Sequence, residues 1–106
     1  MTRATGDVLA EIGRERERQT EKWGVQTLDP PVWLMVLGEE VGEANQAALE
    51  HLFPVLDKGA AQYGPKTLEA YRTELVQVAA VAVAAIESLD RQRAGPGDGG
   101  QGSARP

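Results

Sequence analysis

The sequence predicts an all-α protein, a helical hairpin preceded by an N-terminal helix, and three observations carry that reading. The apolar residues of three long segments recur at helical spacing. Each segment is bounded by recognisable caps or breakers. The third is built almost wholly of alanine and valine through its middle. The expected domain covers residues 1–93, and residues 94–106 form a Gly/Pro-rich tail expected to be disordered. No internal repeat is visible.

The first helix is expected from about Thr5 to Trp23. Thr5 can cap it, Asp7 suits the positive end of the helix dipole, and Gly24 is a natural stop. Val8, Ile12, Gln19 and Trp23 fall on one side at spacings of three, four or seven. Most of the charged run from Arg14 to Arg18 is expected to face water. The second helix has a sharper start. Asp29 is an N-cap residue, Pro30 fits the first helical position, and Leu28 and Trp33 stand where a hydrophobic staple forms. It should run through Ala48 to about Leu52, with Pro54 marking the exit. Phe53 to Lys66 reads as a loop, in which Leu56 to Tyr63 have the makings of a short helical turn.

The third helix starts at the Thr67 cap, carries Glu69 in its first turn and ends near Arg91. From Leu75 to Ile86 nearly every residue is valine or alanine, with Gln77 the one polar exception. A helix that is apolar all round is surrounded on all sides. Two partner helices from one short chain do not suffice for that, so a homodimer or higher oligomer is expected, its core including this helix.

Composition narrows the function. A chain of 106 residues has room for one modest core. The net charge of −5 argues against a nucleic-acid partner, which a basic face would serve. The absence of cysteine excludes disulfides, thiolate metal sites and cysteine nucleophiles, and the single histidine, His51, excludes a multi-histidine site within one chain. Met1 to Ala10 lack the pattern of a signal peptide, and the apolar run Val78 to Ile86 is far short of the roughly 20 residues that cross a bilayer. A soluble, cytoplasmic protein with no membrane partner is expected.

The chemistry is concentrated in two acidic clusters inside apolar helical runs: Glu39-Glu40-Val41-Gly42-Glu43 and Glu74-Leu75-Val76-Gln77. At about 100° per residue, Glu40 lies near the middle of the stripe made by Trp33, Val36, Leu37, Ala44 and Ala47. Glu43 flanks that stripe, and Glu39 lies farther round. Glu74 and Gln77 are three apart on the third helix. In an antiparallel hairpin, Glu43 and Glu74 stand at nearly the same height above the connection, because one lies nine residues before Leu52 and the other seven after Thr67. Glu87 and Asp90 lie roughly 20 Å further along and are expected in a solvated last turn. Three carboxylates and an amide oxygen at one level suit Mg²⁺, or Mn²⁺ in its place. Glu39 is then a candidate to orient or deprotonate an attacking water. The rival reading pairs the buried acids with Arg72 or Arg14 in structural salt bridges.

These residues resemble the signature of the MazG-like, all-α nucleoside triphosphate pyrophosphohydrolases. That signature is two adjacent Glu, a third Glu three residues on, then Glu-x-x-Asp on the next long helix. The flanking segments Arg18-Gln19-x-x-Lys22-Trp23-Gly24-x-Gln26 and Tyr71-Arg72-x-Glu74-Leu75-x-Gln77-Val78-Ala79 are similar to small members as well, and the likeness spans about residues 8 to 91. The resemblance implies Mg²⁺-dependent cleavage of (d)NTPs between the α and β phosphates, giving a nucleoside monophosphate and pyrophosphate. It also implies a homodimer, or a dimer of dimers, around a four-helix-bundle core. By the same resemblance Glu40, Glu43 and Glu74 are metal ligands, with Gln77 where the family has Asp, and Glu39 is the water-activating group or the ligand of a further metal. The departure at Gln77 weakens the expected metal site and keeps open a catalytically weak or inactive helical module that binds a nucleotide or protein partner. A purely structural oligomer is the third alternative. Gln19 and Trp23 are candidates to meet the nucleobase, and Lys22 and Arg72 to neutralise the triphosphate. The favoured reading of Trp23 is a core or dimer-interface tryptophan.

Overall fold

The computed structural model describes residues 1–56 and 67–94. Three long helices account for most of them: α1 (Arg3–Trp23), α2 (Pro30–Leu52) and α3 (Leu68–Ala94), with a 3₁₀ turn at Pro54–Leu56 after α2. No strand is present among the described residues. The expected turn at Leu56 to Tyr63 and the expected disordered tail fall almost wholly outside them.

The ends of the helices show what local chemistry selects. Helix α1 begins two residues before the expected start. Thr2, not Thr5, is its N-cap, because the Thr2 hydroxyl accepts the Thr5 N–H at 3.1 Å. Both threonines carry the capping group, and the earlier cap adds helical residues at the cost of one side-chain orientation. The helix stops as expected at Gly24, whose φ of +75° an L side chain rarely adopts and whose N–H reaches the Thr20 carbonyl at 2.7 Å. Asp29 occupies the N-cap position of α2, but its side chain makes no capping bond, and Pro30 supplies the preset backbone of the first turn. Helix α3 continues three residues past the expected end, with Arg91 and Arg93 in a last turn where positive charge is favourable.

Both other helices pack on α3. Helix α2 lies antiparallel to it: Leu28, just before α2, meets Ser88 near the end of α3, whereas Glu43 lies beside Glu74 near its start. Trp33, Val81 and Ala84 form the buried centre, with Leu28, Val36, Leu37 and Ala85 against it. The Leu28–Trp33 staple and the inward stripe through Ala44 and Ala47 therefore stand as the sequence predicts. The alanines Ala80 and Ala84 let the two backbones approach closely.

Helix α1 runs alongside α3 in the same direction and is held largely by polar contacts. Arg72 makes a two-pronged bond to Glu11 (2.8 and 2.7 Å), Arg16 reaches Glu87 at 2.8 Å, and Gln19 Nε2 donates to Gln77 Oε1 at 3.2 Å. Part of the charged run assigned to solvent thus ties α1 to α3, and Glu87 is a partner of Arg16. Val8 and Trp23, placed by periodicity on the inward side of α1, are exposed. The loop between α1 and α2 is fixed from α3. Arg91 donates to the Gln26 carbonyl at 2.6 Å, and Ser88 and Gln92 both donate to the Leu28 carbonyl, at 3.3 and 3.2 Å. No helix among the described residues is long and apolar enough to cross a membrane.

Candidate functional site

Glu40 and Glu43 stand one turn apart on α2, and Glu74 faces them from the first half of α3. Carboxylate oxygens of the three converge to within 4.8 Å of one another. Glu40 and Glu74 are half-buried and Glu43 is exposed, so the cluster opens to solvent on one side. Burial pushes the Glu40 carboxyl above the usual carboxylate range, and the negative charges of Glu43, Glu74 and Glu39 push it in the same direction. Glu74 is raised by burial first, then by the Glu43 charge and by a hydrogen bond shared with Glu43. Among the described residues the cluster has no positive partner, and proton uptake at Glu40 or Glu74 relieves the repulsion.

The structural salt bridges offered as a rival account fall elsewhere. Arg72 is paired with Glu11, and among the described residues no arginine or lysine forms an ion pair with Glu40, Glu43 or Glu74. Glu39 is exposed and outside the converging set, although its charge is felt at Glu40. Gln77 Oε1 accepts from Gln19, and its amide also bonds to Glu15, whose pKa is lowered chiefly by Arg18.

A small cavity of about 120 Å³ adjoins the cluster and shares Glu40 with it. Gln19, Gln77, Trp23 and Trp33 contribute to its walls, and Gly24 and Gln26 of the fixed loop border it. Gln19 is buried, and its Oε1 accepts from Arg16 Nη1 at 2.9 Å. Arg16, Gln19 and Gln77 thereby form one hydrogen-bonded chain across the wall. Trp23 is half-exposed, with the Lys22 ammonium 4.8 Å from its ring centre. Of the candidate substrate contacts, Gln19 and Trp23 reach this cavity, Lys22 sits beside it on Trp23, and Arg72 is engaged by Glu11 on another face.

Sequence reasoning missed five contributors. Trp33 reads as a core residue and is one, yet it also forms part of the cavity wall. Arg16 hides within an apparently solvated charge run. Ser88, Arg91 and Gln92 hold the Gly24–Leu28 loop, and the one sequence hint was the polar Ser88 just beyond the valine-alanine run. Comparison of the chain with protein-family models, with curated proteins and with solved structures finds no match.

Proposed function

We propose that the chain is a divalent-metal-dependent pyrophosphohydrolase of nucleoside triphosphates, with Glu40, Glu43 and Glu74 as the cation's ligands. The observation that carries this reading is the convergence of three carboxylates from two helices, with no ion-pair partner among the described residues, two of them raised in pKa by burial and mutual repulsion. The donor set fits the ion. It is all oxygen, as Mg²⁺ and Mn²⁺ prefer, and one side stays open for water and phosphate oxygens. A bound cation supplies charge neutralisation and Lewis acidity at the phosphates. Glu39 accepts the proton of the attacking water as the α–β phosphoanhydride bond breaks and pyrophosphate leaves. The cavity beside Glu40 receives part of the base.

A second copy of the chain belongs to this reading. Leu34, Met35, Leu52 and Ile86 lie on α2 and α3 with more than half of their surface exposed. Side chains of that kind on the helices that carry the acids are suited to a homodimer, or a dimer of dimers, with a four-helix core.

Pyrophosphate release from a panel of ribo- and deoxynucleoside triphosphates, with Mg²⁺ and then Mn²⁺, tests the proposal. Glu40→Gln and Glu74→Gln should each abolish release while the helical circular-dichroism signal persists. Silence of the wild-type protein with every nucleotide and both metals would refute it. One observation favours a second reading, a module that binds nucleotide without turning it over: the engagement of Gln77 by Gln19 and Glu15. Nucleotide binding without turnover, unaltered by Gln77→Asp, would decide for that module.

A further inference from the structure

The cavity beside the acidic cluster has a size and a chemistry of its own. We propose that it is a base subsite that accepts a single ring, so that the protein takes pyrimidine nucleotides in preference to purine nucleotides. The inference depends on the hydrolase reading for the reaction but not for the binding. Size is the first argument. A closed cavity of about 150 Å³ holds one benzene molecule. A cavity of about 120 Å³ is filled by one six-membered ring, and the second ring of a purine stays outside it.

The second argument is an unmet hydrogen bond. Trp33 is only 7% exposed, and among the described residues its indole N–H has no hydrogen-bond partner. Buried donors in folded proteins nearly always have an acceptor. Every pyrimidine base carries a carbonyl oxygen at C2 that can accept from this N–H; adenine carries no carbonyl, so this contact sets the pyrimidines apart from adenine, and size sets them apart from guanine. The third argument is the fixed orientation of the opposite groups. Arg16 holds the Gln19 carbonyl, and Gln19 holds the Gln77 carbonyl, so neither amide is free to rotate. Each of those oxygens keeps a second lone pair for an N–H of the base. Because Glu40 belongs to both cavity and acidic cluster, a ring seated here places its sugar and phosphates next to the carboxylates.

Equilibrium dialysis of the full chain with the α,β-methylene triphosphates of cytidine, uridine, adenosine and guanosine, in Mg²⁺, tests the subsite without requiring turnover. The pyrimidine analogues should bind at least about tenfold more tightly than the purine analogues. Trp33→Phe keeps a ring but removes the N–H, and should weaken the pyrimidine analogues severalfold and so narrow the difference, while the discrimination by size persists. Equal binding of all four, tighter binding of purines, or no binding overturns the subsite on wild-type protein alone, and a preference undiminished in Trp33→Phe overturns the role of the indole. The two readings fail separately. Discrimination among analogues with no pyrophosphate from natural triphosphates removes the reaction and keeps the subsite. Turnover of all triphosphates alike, with equal analogue binding, does the reverse.

Discussion

Replacing Glu40 by Gln should stabilise the metal-free protein and at the same time remove its response to metal. The magnitude follows from the site. Carboxylate oxygens of Glu40, Glu43 and Glu74 lie within 4.8 Å of one another, where two unit charges repel by about 0.9 kcal/mol in a water-like dielectric and about 3.5 kcal/mol at an effective constant of about 20. Glu43 is exposed, so water screens the cluster and the lower figure applies. The amide removes two of the three repulsive pairs and leaves a side chain of the same shape. A gain of about 1–2 kcal/mol results, with each kcal/mol worth about 4–8 °C in Tm for a domain of this size. Wild-type protein, in turn, should gain about 2.7 kcal/mol from Mg²⁺ or Mn²⁺ at a hundredfold excess over its Kd.

Differential scanning fluorimetry in EDTA, and then with either ion, reads both effects. The Glu40→Gln protein should melt above wild type in EDTA, and added metal should raise wild type past it. A repulsive cluster that binds metal gives this crossing of order, and other arrangements of the acids do not. Solvated surface acids would give no change in either condition. Acids engaged in structural bonds would give a lower Tm for the variant in EDTA. A lower Tm in EDTA together with a metal-blind wild type would refute the account of the cluster.

The same repulsion sets a pH dependence. Glu40 and Glu74 hold protons more tightly folded than unfolded, so in EDTA their contribution to stability falls as pH rises from the ordinary value of 4.5 through their raised values; Glu15, held low by Arg18, works oppositely and loses its contribution as pH drops below 4.5. Saturating Mg²⁺ should reverse the first trend, since the ion binds deprotonated carboxylates, and melts across the acidic range with and without metal check this. Gly24→Ala should lower stability by about 1–3 kcal/mol in denaturant melts, because φ is +75° there and ψ −175°. Arg72→Ala and Glu11→Ala should each lower Tm by no more than a few degrees and show coupling in a double-mutant cycle that shrinks in high salt, as befits an ion pair open to water. On the proposal of a homodimer, wild type should sediment as an oligomer in analytical ultracentrifugation and Leu34→Glu as a monomer with its helical signal kept; a monomeric wild type would refute the dimer.

The hairpin was legible because its signals are local and agree with one another. Leu28, Asp29, Pro30 and Trp33 mark one boundary by three separate mechanisms, and the stripe through Trp33, Ala44 and Ala47 fixes which way Glu40 points. Counting residues back from the hairpin connection then brings Glu43 level with Glu74, and the carboxylates do converge. Helix α1 was less legible. Its periodicity placed Val8 and Trp23 inward, but among the described residues α1 packs mainly on α3, and one main contact line leaves much of an amphipathic face outside. Arg16 looked like a solvated cation, and Arg72 like a partner of the buried acids or of a triphosphate, because their partners, Glu87 and Glu11, lie 71 and 61 residues away in sequence. A pairing of that kind leaves no periodic trace. The orphaned N–H of Trp33 is likewise a property of packing, since nothing in a sequence says whether a buried indole finds an acceptor.

The division of labour between apolar and polar contacts bears on how such a site works. The three acids stand on α2 and α3, which bury Trp33, Val81 and Ala84 between them. Their mutual positions are therefore set by the best-packed part of the chain, which can hold like charges together against their repulsion. The remaining wall of the cavity comes from α1 and its loop, held by ion pairs, amides and the carbonyl contacts of Ser88, Arg91 and Gln92. Contacts of that type fix orientation well but contribute little free energy each where water reaches them. Local opening should begin where apolar burial is least, and that is α1. A bound ring spanning Gln19 of α1, Trp33 of α2 and Gln77 of α3 would join the weakly held helix to the well-packed pair. Occupancy of the cavity would then tighten α1 against the helices that carry the acids, coupling recognition of the base to closure around the carboxylates through contacts the free chain already makes.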